Sequence, residues 1–244
     1  MCTCSCECCK KCHPVIVNTH EIIKNIIEVF ETGKISKNYG TTTILEDGAG
    51  ISYGKSQATD KSNTLDAIVF RYIDKKGMYA ASLEKYLDEL HSNLTTTVKP
   101  SNPPARVRNL MMILEQAGNI DPKMAEAQDE IFDELYWQPA QKHIQSMKLV
   151  LPLSHAIVYD TCIHSGPDGV NKIRRLFSEV PPASGGDEEA WAQAYVRARR
   201  AWLANYSNIL VRKTVYRMDY FLEMIRDDNW RLDKPLTILG VKII

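Results

Sequence analysis

Apolar residues recur along most of the chain at the spacing of a helix. Ile22, Ile23, Ile26, Ile27, Val29 and Phe30 fall three to four residues apart and so share one helical face. Asn18 with Glu21 three residues later reads as a capping pair at the start of this helix, and Gly33 as its stop. Similar stripes run through Leu65, Ile68, Val69, Tyr72 and Ile73, then through Leu83, Tyr86, Leu87 and Leu90. A longer one surrounds Met124, Ile131, Phe132 and Leu135, and Asp187 suits the N-cap of a helix through Trp191, Tyr195 and Trp202.

Strand-like sequence is confined to one place. Residues 41–46, TTTILE, are β-prone, DGAG at 47–50 supplies a turn, and ISYG at 51–54 returns. The segments KPSNPPA (99–105) and VPPASGGDEE (180–189) read as loops. The pattern therefore predicts a mainly α protein with one small hairpin.

The 244 residues, 44% of them hydrophobic, suffice for one large domain or for two lobes sharing a cleft. Thirty basic residues balance thirty acidic ones, so no net field exists to hold a polyanion, and nucleic acid is not an expected partner. No apolar run reaches the roughly 18 residues that span a bilayer, and MCTCSCECCKKCHP lacks the apolar core of a signal peptide. Six cysteines (Cys2, Cys4, Cys6, Cys8, Cys9 and Cys12) crowd this start, and only Cys162 lies beyond it. Together with His13 they could hold zinc or a soft metal, but they lack the paired spacing of structural zinc sites. We expect a separate Cys-rich segment, 1–17, disordered, oxidisable or lipid-modified, ahead of a body at 18–244, with no metal.

Two carboxyls stand out against this pattern. Glu31 continues the Ile23, Ile27 stripe by another four residues, which places it against the core, where desolvation raises a carboxyl pKa. Asp47 sits at a polar, solvated turn. One protonated and one ionised carboxyl are what glycoside hydrolysis requires, so Glu31 suits the acid and Asp47 the base. The competing reading is a helix-end acid and a turn-forming Asp before Gly. Glu46 rivals Asp47, but on a strand the two point to opposite faces.

Other nucleophile arrangements are poorer. Ser154 beside His155, and Cys162 near His164, lack a nucleophile elbow, and Cys162 is expected in a helix core. His164 precedes Ser165, Gly166 and Pro167 where a helix ends, a place that favours a cationic ring. In VRARRAW (196–202) the arginines diverge around the helix, so some must turn inward. No phosphate-cradling loop is present, and no cofactor is expected.

Taken together these residues resemble the family 46 glycoside hydrolases, the chitosanases. The segment IIEVFETG resembles the family helix ending in the general acid, at Glu31, and EDGAGISYG the hairpin bearing the general base, at Asp47. The segments AQDEIFDELYWQPA (127–140), HAIVYDTCIHSGPDG (155–169) and GGDEEAWAQAYVRARRAW (185–202) resemble three later family segments in the same order. The resemblance implies a lysozyme-like α+β fold, mainly α, of two helical lobes flanking a cleft. It implies that Asp160, Arg199 and Arg217 form a charged network supporting the acid, and that Ser52 holds the attacking water. His164 is a candidate for substrate binding. Inversion of configuration, also implied, needs the two carboxyls roughly 6.5–9.5 Å apart.

One stretch departs from the family. KSQATDKSNTLD (55–66) does not reproduce the region holding an acid that binds a glucosamine amine; Asp60 and Asp66 are near but out of register. The expected activity is endo-acting, inverting hydrolysis of β-1,4 links in a glucosamine-containing polysaccharide such as chitosan. The alternatives are a lysozyme-type hydrolase of peptidoglycan, especially N-deacetylated peptidoglycan, and a non-catalytic glycan-binding module. The expected protein is a monomer whose partner is the polysaccharide, acting outside the cell or delivered to the cell wall or periplasm.

Overall fold

The computed structural model describes residues 19–44 and 46–244; the Cys-rich start and the Asn18 cap lie outside them. The chain begins with α1 (Thr19–Thr32), then β1 (Thr42–Ile44), β2 (Ile51–Tyr53) and β3 (Ala58–Thr59). Helices α2 (Thr64–Asp74), α3 (Ala80–Leu83), α4 (Leu87–His91), α5 (Ala105–Ile120), α6 (Pro122–Phe132) and α7 (Gln138–Met147) follow. Next come α8 (Pro152–Ser165), α9 (Asp168–Arg174), α10 (Glu188–Ala204), α11 (Ile209–Arg212) and α12 (Tyr216–Arg226), and last the strands β4 (Thr237–Ile238) and β5 (Val241–Lys242). The fold is mainly α with a small antiparallel sheet, as the apolar spacing predicts.

The chain divides into two compact units. The first comprises the chain up to Ile35 together with His143–Ile244, and the second is Ser36–Lys142. In the first unit α1 buries Ile22, Ile23, Ile26, Ile27, Val29 and Phe30 and packs on α8. Gly33, in the left-handed region at φ 73°, ends α1 with its N–H on the Val29 carbonyl at 2.9 Å. Helix α8 is buried on nearly every side from Leu153 to Cys162, because α1, α9, α10 and α12 all pack against it. Asp187 caps α10 by accepting the Ala190 N–H at 2.8 Å.

In the second unit the sheet order is β1-β2-β3, with Thr43 opposite Ser52 and Ile44 opposite Ile51. Its core joins Ile51 and Tyr53 to Leu65, Ile68, Val69 and Tyr72 of α2, Leu110 and Leu114 of α5, and Met124 and Ile131 of α6.

Several expectations need correction. The Leu83 to Leu90 stripe is not one helix: α3 and α4 are separated by a 3₁₀ turn, Glu84–Tyr86. The long helix through Met124 is interrupted by a π turn, Asp133–Trp137, which rotates Leu135 outward to 43% exposure. A second sheet, β4 with β5, lies near the C-terminus. Finally, β1 ends at Ile44, so Glu46 and Asp47 belong to the turn rather than a strand, both are exposed, and strand alternation does not choose between them.

Candidate active site

In the first unit the structure brings four of the expected residues together. Glu31 lies in the last turn of α1, Asp160 on α8, Arg199 on α10 and Arg217 at the start of α12. Arg217 Nη1 donates to Glu31 Oε1 at 2.7 Å and to Asp160 Oδ1 at 3.0 Å, while its Nη2 donates to the Phe30 carbonyl at 3.2 Å. Arg199 Nη1 donates to the other carboxylate oxygen of Asp160. Tyr216 closes the same corner, its hydroxyl donating to the Phe30 carbonyl at 2.6 Å. The Arg217 guanidinium also lies 5.7 Å from the centre of the Phe30 ring.

The electrostatics follow from burial. Asp160 and Arg199 are fully buried and Arg217 is nearly so, which makes each charge costly alone. Burial by itself pushes the Asp160 carboxyl up, but the Arg199 and Arg217 charges outweigh it and hold the group below the ordinary carboxylate range. Two buried cations against one buried anion leave one positive charge uncompensated, and Glu31 is the carboxylate that meets it.

Glu31 itself departs from the expectation of a core position. Its side chain is 40% exposed, with Arg217 beneath it. On a helix of 3.6 residues per turn, eight residues from Ile23 advance the direction by about 80° past whole turns. Glu31 therefore sits on the flank of the stripe, where a carboxyl reaches both solvent and a buried arginine.

His164 lies in the last turn of α8 beside this cluster, with its Nδ1 3.2 Å from Ser165 Oγ. Burial, then the charges of Arg217 and Arg199, push its pKa down, so the ring is favoured neutral and not cationic as its helix-end position suggested. Cys162 is buried, and burial raises its thiol to about 12, which suits a core residue and not a nucleophile.

The remaining candidates lie in the second unit. Asp47 stands in the turn between β1 and β2, its Oδ1 accepting the Ala49 N–H at 2.9 Å. Gly48 and Gly50 follow it at φ 71° and 75°, left-handed values that bend the loop at little steric cost. Ser52 is in β2, paired with Thr43 and Thr59 and nearly covered.

The support under this loop was not expected. Thr95 Oγ1 accepts the Ile51 N–H at 3.0 Å, and both the Thr95 N–H and its hydroxyl donate to Asp60 Oδ2. Asp60 returns its own N–H to the Ile51 carbonyl at 3.0 Å, and Lys61 N–H reaches the Ala49 carbonyl at 3.1 Å. Gly50 is required here, since a Cβ would stand 2.5 Å from Thr95 Oγ1. Asp60 is fully buried, and burial raises its pKa. Asp66 pairs instead with His91, at 2.9 Å. Nothing in the sequence marks Thr95, whose partners are 35 and 44 residues away.

Among the described residues, no cluster of three or more His, Cys, Asp or Glu could hold a metal ion, and no helix is long and apolar enough to cross a membrane.

The family model for glycosyl hydrolase family 46 matches residues 25–236. The chain belongs to that family. It is a chitosanase-like glycoside hydrolase, 26% identical over 226 residues to a chitosanase of Bacillus subtilis (strain 168), covering 88% of this chain and 79% of that protein. Family 46 structures share its fold. A mutant chitosanase from Bacillus subtilis MY002, complexed with six glucosamine units, superposes with a TM-score of 0.71 at 24% identity, over 91% of this chain and 94% of that one. A chitosanase of Gynuella sunshinyii in complex with chitotetraose also gives 0.71, at 21% identity, over 93% and 96%.

Proposed function

We propose that this family 46 enzyme is an endo-acting, inverting glycosidase that cuts β-1,4 links of chitosan. The observation that carries the reading is Glu31 held at 2.7 Å by Arg217, itself fixed between Glu31 and the Asp160–Arg199 pair. A carboxyl so placed has one defined orientation and a buried charge beside it that stabilises the carboxylate left after proton transfer. The chitosanases complexed with six glucosamine units and with chitotetraose suggest the substrate class.

In this reading Glu31 gives its proton to the glycosidic oxygen as the bond to the anomeric carbon breaks. Water attacks that carbon from the opposite face, Asp47 takes the water's proton, and Ser52 orients the water. The catalytic body is 18–244, working as a monomer, and the Cys-rich segment takes no part in the chemistry. Because the substrate is a polymer, the enzyme acts outside the cell or at its wall.

The test is release of reducing ends from chitosan, native peptidoglycan and N-deacetylated peptidoglycan. Glu31→Gln should lower turnover on chitosan by about 10²–10⁴-fold, the range for a general acid, while retaining the fold. Wild-type turnover by that variant would remove Glu31 as the acid, and cleavage confined to peptidoglycan would replace chitosan as substrate.

A further inference from the structure

Beside the Glu31 cluster, within the first unit, lies a pocket of about 290 Å³ lined by His164, Ser165, Lys172, Ile173, Trp202 and Tyr206 among others. Trp202 and Tyr206 meet edge to face, ring centres 4.8 Å apart, and both are only partly buried. The same two rings border a second recess of about 460 Å³ with Leu176 and Ala201. They therefore form a free-standing aromatic wall, a surface suited to the apolar face of a sugar ring. His164 ties this pocket to the site, since it feels the charges of Arg217, Asp160 and Glu31.

The charge of the lining is the informative part. No carboxylate lines the pocket, and the one fully charged residue is Lys172, which is exposed and makes no ion pair among the described residues. A free glucosamine amine is a cation at mildly acidic pH, and here it would find another cation and no counter-charge. An acetamido group is neutral, carries a methyl that suits Trp202 and Ile173, and presents an N–H and a carbonyl to the Ser165 hydroxyl and the His164 ring.

We propose that the Trp202–Tyr206 pocket binds an N-acetylated amino-sugar unit and selects it over free glucosamine. The enzyme then cuts partly acetylated polymer with an acetylated unit held in this pocket. The inference rests on the glycosidase reading of Glu31, and its test is a binding measurement so that the two can fail separately.

Saturation-transfer NMR on the full chain, with N,N′-diacetylchitobiose and with chitobiose as probes, reads the contact directly. The acetamido methyl should receive strong transfer in the wild type and at least about fivefold less in Trp202→Ala, with Trp202→Phe retaining most of it. Lys172→Glu should raise transfer to chitobiose. A methyl signal unchanged in Trp202→Ala, or chitobiose binding unmoved by Lys172→Glu, overturns the proposal. Methyl transfer that depends on Trp202, in a protein that cleaves no chitosan, supports the pocket and overturns the glycosidase reading instead.

Discussion

Glu46 and Asp47 are adjacent, exposed and chemically alike, yet only Asp47 is oriented by the backbone, through the Ala49 N–H. That bond occupies one carboxylate oxygen, and the proposed mechanism uses the other. Asp47→Asn should therefore cut turnover by about 10²–10⁴-fold, while Glu46→Gln stays near wild type, both measured as reducing-end release from chitosan. The reverse pattern would transfer the role of base to Glu46. Glu31 and Asp47 stand out in the sequence by pattern, whereas Asp160, Arg199 and Arg217 come from the family resemblance and carry no pattern of their own. The exposure of Glu31 was misread, because a stripe judged by spacing alone ignores the rotation accumulated over eight residues.

The elements differ in how openly they announce themselves. Helix α1 was legible, having one buried face, a glycine stop and an amphipathic stripe. Helix α8 carries no such contrast, because it is buried from Leu153 through Cys162 and a helix covered on every side shows no period. Helix α5 hides its stripe of Leu110, Leu114 and Ala117 behind exposed Met112 and Ile120. The brace under the Asp47 loop was invisible for another reason: Thr95 meets Ile51 and Asp60 only after the chain has folded back. Thr95→Val removes the acceptor of the Ile51 N–H and both side-chain functions of the brace. It should destabilise the second unit by about 1–3 kcal/mol and lower turnover, with Thr95→Ser restoring both. A thermal melt read beside the turnover number checks this, and a Val variant with wild-type turnover would show that the loop needs no brace.

Across the whole molecule two of the three buried aspartates, Asp160 and Asp60, respond to acid in opposite directions. The folded-state pKa of Asp160 is depressed, so its stabilisation is present above the unfolded value of about 3.9 and is lost as pH falls through the folded value. The folded-state pKa of Asp60 is raised by burial, so the folded state binds its proton more tightly than the unfolded one and gains stability as pH falls. Acid should therefore loosen both units, the first through Asp160 and the second through Asp121, whose pKa burial raises but hydrogen bonds from Tyr72, Met78 and Lys123 hold down, with Asp60 offsetting part of the loss in the second. Hydrogen exchange corrected for intrinsic rates would show α8 and α10 in the first unit, and α2 and α6 in the second, losing protection in acid; protection unchanged in either unit would contradict it.

Arg217, Asp160 and Arg199 also constrain how this chain can change by mutation. Replacing Asp160 alone leaves two buried guanidiniums facing each other, and replacing either arginine alone strips a buried carboxylate of a partner. Each single replacement should therefore destabilise the fold, by about 3–5 kcal/mol for a buried charge left unpaired, even where a nonionic core would serve folding as well. The three positions are thus bound together by folding, and replacing all three at once with nonionic residues should cost less stability than replacing any one.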